Sequence, residues 1–108
     1  MDMLLAEALA TFDRLFDEAE AAREPDRTAM TLATLGEAGP AARIVLLKSH
    51  GADGFVFYTH LDGRKGRELQ ADPRAALMFH WPRVRHGMQV RIEGDASIVG
   101  DAEADAYF

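Results

Sequence analysis

Apolar side chains recur at three- and four-residue spacing near the start of the chain, and acidic residues occupy many of the positions between them. The apolar positions are Leu5, Leu9, Phe12, Phe16 and Ala19. This is the period of an amphipathic α-helix, so we predict a helix over residues 2–22, within an N-terminal segment 1–24. Pro25 ends it, because proline disfavours helical backbone in the residue before it. We expect the apolar stripe to pack on the protein's own sheet.

Short runs rich in aliphatic, aromatic and β-branched residues follow the helix, and turns rich in glycine and proline separate them. The runs lie at residues 28–35, 41–48, 55–60, 74–81 and 88–99. In the last run Val90 and Ile92 alternate with Gln89 and Arg91, which predicts one face in the core and the other facing solvent or a ligand. Five short strands of this kind indicate a small β-barrel or sandwich over residues 28–99.

Two further helices are predicted. Asp62 fits the N-cap of a short helix over residues 61–72, and Pro73 closes it. Residues 100–108 are acidic and rich in alanine, which predicts the start of another helix. We therefore expect a single domain over residues 1–108 that is mainly β with flanking helices.

Length and composition restrict the class of protein. The chain has 108 residues, of which 48% are hydrophobic and 28% charged, as in one globular domain. No apolar run approaches the roughly 20 residues of a membrane-spanning helix, and the first residues lack a signal-peptide pattern. We therefore expect a cytoplasmic protein with no membrane partner. Cysteine is absent, which excludes disulfides and thiol chemistry and leaves any redox reaction to a bound cofactor.

Positive charge is confined to one region of an acidic chain. The net charge is −6, but residues 43–91 hold nine Lys or Arg against four Asp or Glu, a balance of +5. An acidic protein has no general affinity for nucleic acid, so a confined basic patch favours a small anionic ligand over a nucleic-acid partner. On charge alone, a solvated patch with scattered salt bridges is an equal alternative.

The start of the predicted helix 61–72 is a candidate phosphate site. Arg64 and Lys65 lie in its first turn, where free N–H groups and the helix dipole favour a bound phosphate. Cations are otherwise unfavourable at a helix N-terminus, which supports a functional reason for them. Arg64 could instead pair with Glu68, four residues on.

A second candidate is the strand over residues 41–48. Arg43 stands near its start and Lys48 ends it. Five residues apart in a regular strand, these side chains point to opposite faces of the sheet. Both reach one ligand only if the strand twists or bulges, or if the ligand lies across the edge of the sheet.

Other kinds of site have little support in the sequence. The four histidines, His50, His60, His80 and His86, lack the spacing of a helical metal pair, and we predict no metal site. No Ser-His-Asp arrangement, phosphate-loop glycine pattern or dinucleotide fingerprint is present. Hydrolase and nucleotide-triphosphate functions are therefore disfavoured.

Several of these segments, in this order, resemble the pyridoxamine 5′-phosphate oxidase family, flavoproteins built on the FMN-binding split β-barrel. The resemblance extends from about residue 25 to residue 108. Its segments are Pro25-Asp26-Arg27-Thr28-Ala29-Met30, Arg43-Ile44-Val45-Leu46-Leu47-Lys48, Phe57-Tyr58-Thr59, Arg64-Lys65 and Gln89-Val90-Arg91-Ile92-Glu93-Gly94. It implies a split β-barrel of the Greek-key type, preceded by the N-terminal amphipathic helix.

The resemblance also implies FMN as the cofactor and assigns residues to it. The cofactor-binding residues it implies are Arg43, Ile44, Val45, Leu46, Leu47, Lys48, Tyr58, Thr59, Arg64, Lys65 and Gln89. Among these, Arg43, Arg64 and Lys65 would contact the FMN phosphate. Lys48 and Tyr107 would bind the substrate. In the family the glutamine matching Gln89 reaches the flavin across a dimer interface, so a homodimer with FMN at the interface is implied.

The implied reaction is oxidation of pyridoxamine or pyridoxine 5′-phosphate to pyridoxal 5′-phosphate, with hydride passing to FMN and electrons then to O₂. One alternative is a non-catalytic module that holds FMN, pyridoxal phosphate or haem. Another is single-stranded nucleic-acid binding by a small barrel, which the acidic net charge disfavours. The sequence departs from the family at Gly63, where serine is common, and at Met88, where arginine is usual. Family chains also continue well beyond Phe108.

Overall fold

The computed structural model describes residues 3–36, 39–52, 54–58, 71–98 and 105–107, without the side chains of residues 3–5, 58, 98 and 105–107. One helix and seven strands lie in these ranges: α1 (Met3–Ala21), β1 (Ala29–Gly36), β2 (Gly39–Gly51), β3 (Gly54–Tyr58), β4 (Arg74–Trp81), β5 (Met88–Asp95), β6 (Ser97–Ile98) and β7 (Asp105–Tyr107). The predicted N-terminal helix is confirmed, and each of the five predicted strand regions holds a strand within the described residues, although the region 88–99 holds two strands and not one. The predicted helix over residues 61–72 lies outside the described residues except at its last two positions.

The strands form one antiparallel sheet in the order β5-β4-β1-β2-β3-β7-β6. Within it, β4-β1-β2-β3 is the strand order of a Greek key, in which the fourth strand returns to lie beside the first. The predicted Greek-key topology is therefore confirmed. The chain crosses from β3 to β4 through residues 59–70, which lie outside the described residues.

The sheet curls because one continuous stretch of chain forms a strand at each of its two ends. The predicted strand 88–99 divides at Ala96 into β5, at one end of the strand order, and β6, at the other. The two ends of the sheet must therefore approach each other at this residue. Ala96 is buried there, and its N–H donates to the carbonyl of Pro73 at 2.8 Å. The result is a curled half-barrel with a distinct inner and outer face.

The prediction of a helix over residues 100–108 is wrong for residues 105–107, which form β7. This strand pairs with β3 through Val56 and Tyr107, and with β6 on its other side. Pairing satisfies the backbone groups along β3, which a helix there would leave without a strand partner. An isolated helix of nine residues is also marginal without tertiary packing. Residues 99–104 and 108 lie outside the described residues.

Helix α1 ends in a Schellman motif. Arg23 adopts a left-handed conformation with φ of 59°. Its N–H donates to the carbonyl of Glu20 at 3.0 Å, and the N–H of Glu24 donates to the carbonyl of Ala19 at 3.1 Å. The helix therefore stops through its own hydrogen bonds just before Pro25, the proline that predicted its end.

Aromatic side chains join α1 to the inner face of the sheet. The Phe12 ring lies 5.0 Å from that of Phe55, 5.3 Å from that of Phe79 and 6.0 Å from that of Trp81, measured between centroids. Phe12 thus contacts both β3 and β4. With the inward side chains of β1 and β2, these residues form one buried core, and α1 covers the inside of the half-barrel. The predicted packing of its apolar stripe on the sheet is confirmed.

Polar contacts fix the same helix from its sides. The Arg27 guanidinium lies 3.9 Å from the centre of the Phe16 ring, donates to the Phe16 carbonyl at 3.1 Å and pairs with Glu20 at 3.2 Å. Arg85 donates two hydrogen bonds to the Glu18 carboxylate, at 2.9 and 2.7 Å. The Arg85 hydrogen bonds hold the pKa of Glu18 below its ordinary value, so this carboxylate stays ionised and paired at neutral pH.

Replacing Phe12 by alanine is expected to lower the free energy of unfolding by about 3–5 kcal/mol, because it removes a buried ring at the junction of helix and sheet. Urea unfolding followed by helix circular dichroism and by the fluorescence of Trp81 measures this. The exposed Thr11→Ala change is the control, with an expected effect within about 0.5 kcal/mol. A loss below about 1 kcal/mol for Phe12→Ala would show that α1 does not contribute to the cooperative core.

Candidate functional site

Strand β2 presents two different faces. Val45 and Leu47 point into the core and are almost fully buried. Ile44 and Leu46 point outward, with exposed fractions of 64% and 49%, and Lys48 is also exposed. These two large aliphatic side chains are neighbours on the same face of the strand, so they form a solvent-exposed apolar surface. The run that the sequence singled out thus divides into core residues and surface residues.

One edge of β2 has no strand partner among the described residues. On one side, β1 pairs with β2 continuously from residue 39 to residue 46. On the other side, β3 pairs only from Leu47 to Gly51. We call residues 39–46 on this side the open edge. Alternate residues of a strand direct their N–H and C=O groups to each neighbour, and no strand among the described residues pairs with the open edge.

A β-bulge lies at the point where the open edge begins. Leu47 pairs with Phe57 and Ser49 pairs with Val56, which leaves Lys48 as the extra residue on β2. The bulge also changes the alternation, because His50 rather than Ser49 is the next partly buried side chain. A bulge is one of the two conditions that the sequence set for Arg43 and Lys48 to reach a common ligand.

Arg43 and Lys48 nevertheless lie on opposite faces, because burial alternates regularly from Arg43 to Lys48 and the pattern changes only after Lys48. Arg43 is partly buried on the side of Val45, and its Nη1 donates to Thr34 Oγ1 at 2.7 Å and to the carbonyl of Leu32 at 3.0 Å. Lys48 is exposed on the other side. The remaining condition is a ligand across the edge of the sheet, and here the Arg43 guanidinium lies toward β1, on the opposite side of β2 from the open edge. The joint role of the two cations stays a prediction.

The other predicted site residues are separated from β2. Gln89 is exposed on β5 and lies opposite His80 of β4. Three strand spacings separate β5 from β2, which is about 14 Å. Gln89 therefore does not lie on a strand that pairs with β2.

The remaining predictions concern residues at or beyond the limits of the described structure. Tyr58 ends β3, next to the point where β2 loses its second partner, and Tyr107 lies in β7. Their side chains are not among those described, and Thr59, Arg64 and Lys65 lie outside the described residues. Their assigned contacts with FMN or substrate remain predictions.

Thr34 is a residue of this region that the sequence analysis did not single out. It is the buried polar side chain of the described core, with an exposed fraction of 3%. Its position could have been noticed, because it follows Met30 and Leu32 at the core positions of an alternating strand. A hydroxyl at such a position requires a hydrogen-bonding partner, which Arg43 provides.

A cavity on the sheet is a poorer candidate for an anion. Its volume is about 440 Å³, and its lining includes Ala33, Ala76, Arg74, Glu93 and Asp95. Two carboxylates and one guanidinium give this lining a negative balance. Among the described residues there is no group of three or more possible metal ligands, and no helix is long and apolar enough to cross a membrane.

Comparison with known proteins identifies the family. The family described as pyridoxamine 5′-phosphate oxidase matches residues 16–108. The chain belongs to this family. The resemblance found in the sequence segments is therefore confirmed.

Two oxidases of this family are similar along most of the chain. The pyridoxine/pyridoxamine 5′-phosphate oxidase of Xanthomonas euvesicatoria is 56% identical over 110 residues, which cover 100% of this chain and 55% of the relative. That of Sphingopyxis alaskensis is 56% identical over 101 residues, which cover 93% of this chain and 46% of the relative. The chain thus spans about half the length of the curated relatives it matches.

Solved structures share the fold of this pyridoxamine 5′-phosphate oxidase family member. PhzG from Burkholderia lata, in complex with tetrahydrophenazine-1-carboxylic acid, has a TM-score of 0.81 and 29% identity, covering 88% of this chain and 46% of PhzG. A heme binding protein from Mycobacterium smegmatis has a TM-score of 0.60 and 30% identity, covering 78% and 38%. An FMN binding protein from Nostoc punctiforme, with a TM-score of 0.71 and 21% identity, covers 85% and 47%. The predicted split-barrel fold is confirmed.

The adjacent residues Leu46 and Leu47 provide a matched test of the two faces of β2. Leu47→Ala should lower the free energy of unfolding by about 2–5 kcal/mol, because the side chain is 7% exposed and its loss leaves a cavity. Leu46→Ala should cost less than about 1 kcal/mol, since it removes an exposed side chain from a strand. Chemical denaturation measures both. Equal losses would contradict the assignment of Leu46 to the outer face.

Proposed function

We propose that this chain is the FMN-binding part of an oxidase that converts pyridoxamine or pyridoxine 5′-phosphate to pyridoxal 5′-phosphate with O₂ as electron acceptor. The observation that supports this best is the outer face of β2, where exposed Ile44 and Leu46 lie beside the bulged Lys48. Membership of the oxidase family and the names of its similar relatives point to the same reaction.

The described residues suit a flavin mononucleotide. Ile44 and Leu46 offer an apolar surface for the flat ring system. Arg43 of the same strand supplies a guanidinium for the phosphate. Arg64 and Lys65, which follow β3 closely in the sequence, supply two further cations. When bound, FMN would accept a hydride from the substrate and pass the electrons to O₂.

The chain's own part in the reaction is to bind and orient. Lys48, held at the bulge, would place a cation beside the substrate and the flavin edge. Tyr107 lies on β7, which is separated from β2 only by β3, so about 10 Å separates the two strands. We assign to Tyr107 the binding of the substrate phosphate. Its neighbour β3 fixes the distance between these two contacts.

We also propose that two copies of the chain form the site. Gln89 is three strands from the open edge in its own chain, so its contact with a flavin held there requires a second copy. Dimerisation would also remove Ile44 and Leu46 from water. A homodimer with FMN at its interface therefore accounts for the positions of Gln89 and of the exposed aliphatic residues together.

The proposal is tested in two steps on the purified chain. The protein should bind FMN and release it on denaturation, detected by the flavin absorbance spectrum, and failure to bind added FMN would contradict every flavin function. The FMN-loaded protein should then form pyridoxal 5′-phosphate from pyridoxamine 5′-phosphate while consuming O₂. Loading without turnover would support the alternative of a non-catalytic binding module.

Haem is the second candidate ligand, because a heme binding protein shares the fold at 30% identity. Titration of the chain with haemin, followed by competition with FMN, separates the two. Under the oxidase proposal, FMN binds tightly and haemin does not displace it at equal concentration. Tight haemin binding together with no FMN binding would favour the haem module.

The assigned role of Arg64 and Lys65 can be tested by replacing both with alanine. The double variant should lose about 100-fold in FMN affinity, since each cation contributes a charge-assisted contact to the phosphate. Its affinity for riboflavin, which lacks the phosphate, should change less than about threefold. Fluorescence quenching of each flavin measures the two constants. Arg83→Ala is a control cation remote from the open edge, and equal losses for FMN and riboflavin in the double variant would contradict the assignment.

A further inference from the structure

A threonine hydroxyl is buried at a position of β1 where the preceding inward residues are apolar. Thr34 is 3% exposed and occupies a core position of β1, after Met30 and Leu32. Valine has almost the same shape and would bury no polar atom there. Burying a hydroxyl is unfavourable unless it is hydrogen-bonded, so its partner should explain its presence.

Arg43 is a hydrogen-bonding partner of this hydroxyl. The Arg43 Nη1 donates to Thr34 Oγ1 at 2.7 Å, and the same nitrogen donates to the carbonyl of Leu32 at 3.0 Å. A third, longer contact joins it to the carbonyl of Ala41 at 3.4 Å. The 2.7 Å distance is that of a strong, charge-assisted hydrogen bond.

These contacts fix the guanidinium from the neighbouring strand. Leu32 lies directly opposite Arg43 in the β1–β2 register, and Thr34 is the next residue on the same face of β1. A guanidinium is planar, so contacts with two points of β1 through one nitrogen restrict both its position and its plane. An arginine side chain otherwise loses much conformational freedom when it binds a ligand.

We propose that Thr34 is a positioning residue that orients Arg43 for the phosphate group of FMN. The inference rests on the proposed FMN function and adds a residue of β1 to it. Thr34 would not contact the cofactor. It would act by holding the Arg43 guanidinium before the phosphate arrives, so that binding restricts fewer side-chain rotations.

The test compares FMN with riboflavin, because only FMN carries the phosphate that Arg43 would contact. Thr34→Val keeps the volume of the side chain and removes the hydroxyl. We expect FMN affinity to fall about tenfold in this variant, the effect of losing roughly one charge-assisted hydrogen bond, while riboflavin affinity changes less than about twofold. Arg43→Ala provides the reference for loss of the phosphate contact itself.

A second pair of variants tests the hydroxyl without depending on the fold of Thr34→Val. Thr34→Ser and Thr34→Ala both lose the methyl group and differ only in the hydroxyl. FMN affinity relative to riboflavin should stay near the wild-type value in the serine variant and fall about tenfold in the alanine variant. The melting temperature of each variant is measured alongside to separate loss of stability from loss of selectivity.

Three results would overturn the inference. If Arg43→Ala loses the preference for FMN but Thr34→Val and Thr34→Ala keep it, Thr34 has no positioning role although FMN binding by Arg43 stands. If the threonine variants lose FMN and riboflavin affinity equally, Thr34 contributes to core packing and does not orient Arg43. If the wild-type protein binds neither flavin, the proposed function and this inference both fail.

Discussion

Backbone hydrogen bonding along β2 sets the form of the candidate site. Among the described residues, β1 pairs with this strand along residues 39–46, whereas β3 begins to pair only at Leu47. Along residues 39–46 the strand is therefore paired with β1 on one side, and no described strand pairs with it on the other. The buried side chains of Val45 and Leu47 anchor it in the core, so the open edge does not depend on a ligand for its shape. The bulge at Lys48 marks the transition and gives His50 the inward position, where it contacts α1.

Local patterns predicted the strands well and their long-range pairing poorly. The alternation around Leu77 and Phe79 sufficed for β4, because one face of the strand is buried throughout. The bulge at Lys48 changes the alternation through pairing with β3, and no local preference of lysine reveals that. The same holds for β7, whose acidic, alanine-rich sequence resembles a helix until β3 supplies a strand partner. The sequence alone does not single out Thr34, because threonine is common in strands. Its hydrogen bond to Arg43 of β2 becomes evident only when the two strands are paired.

The segregated charges of the sequence have a structural use as well as a proposed functional one. Arg85 of the basic region binds Glu18 of α1, and His50 lies 2.8 Å from Asp13 of the same helix. Part of the charge asymmetry therefore holds the acidic helix on the half-barrel. This agrees with the salt-bridge alternative for these residues. The family resemblance, and not the charge balance, is what distinguishes the cations assigned to FMN from those that stabilise the helix.

The division of one strand at Ala96 links the two ends of the sheet. β5 carries Gln89, and the buried Ala96 joins β5 to β6. β6 in turn pairs with β7, which carries Tyr107. β6 pairs with β7, and β7 pairs with β3, so the position of β6 after Ala96 bears on the register at this end of the sheet. An insertion or deletion here would act as a change of register for one end of the sheet and leave the other in place. Chain length at Ala96 is thus a constraint on how the two ends of the half-barrel meet.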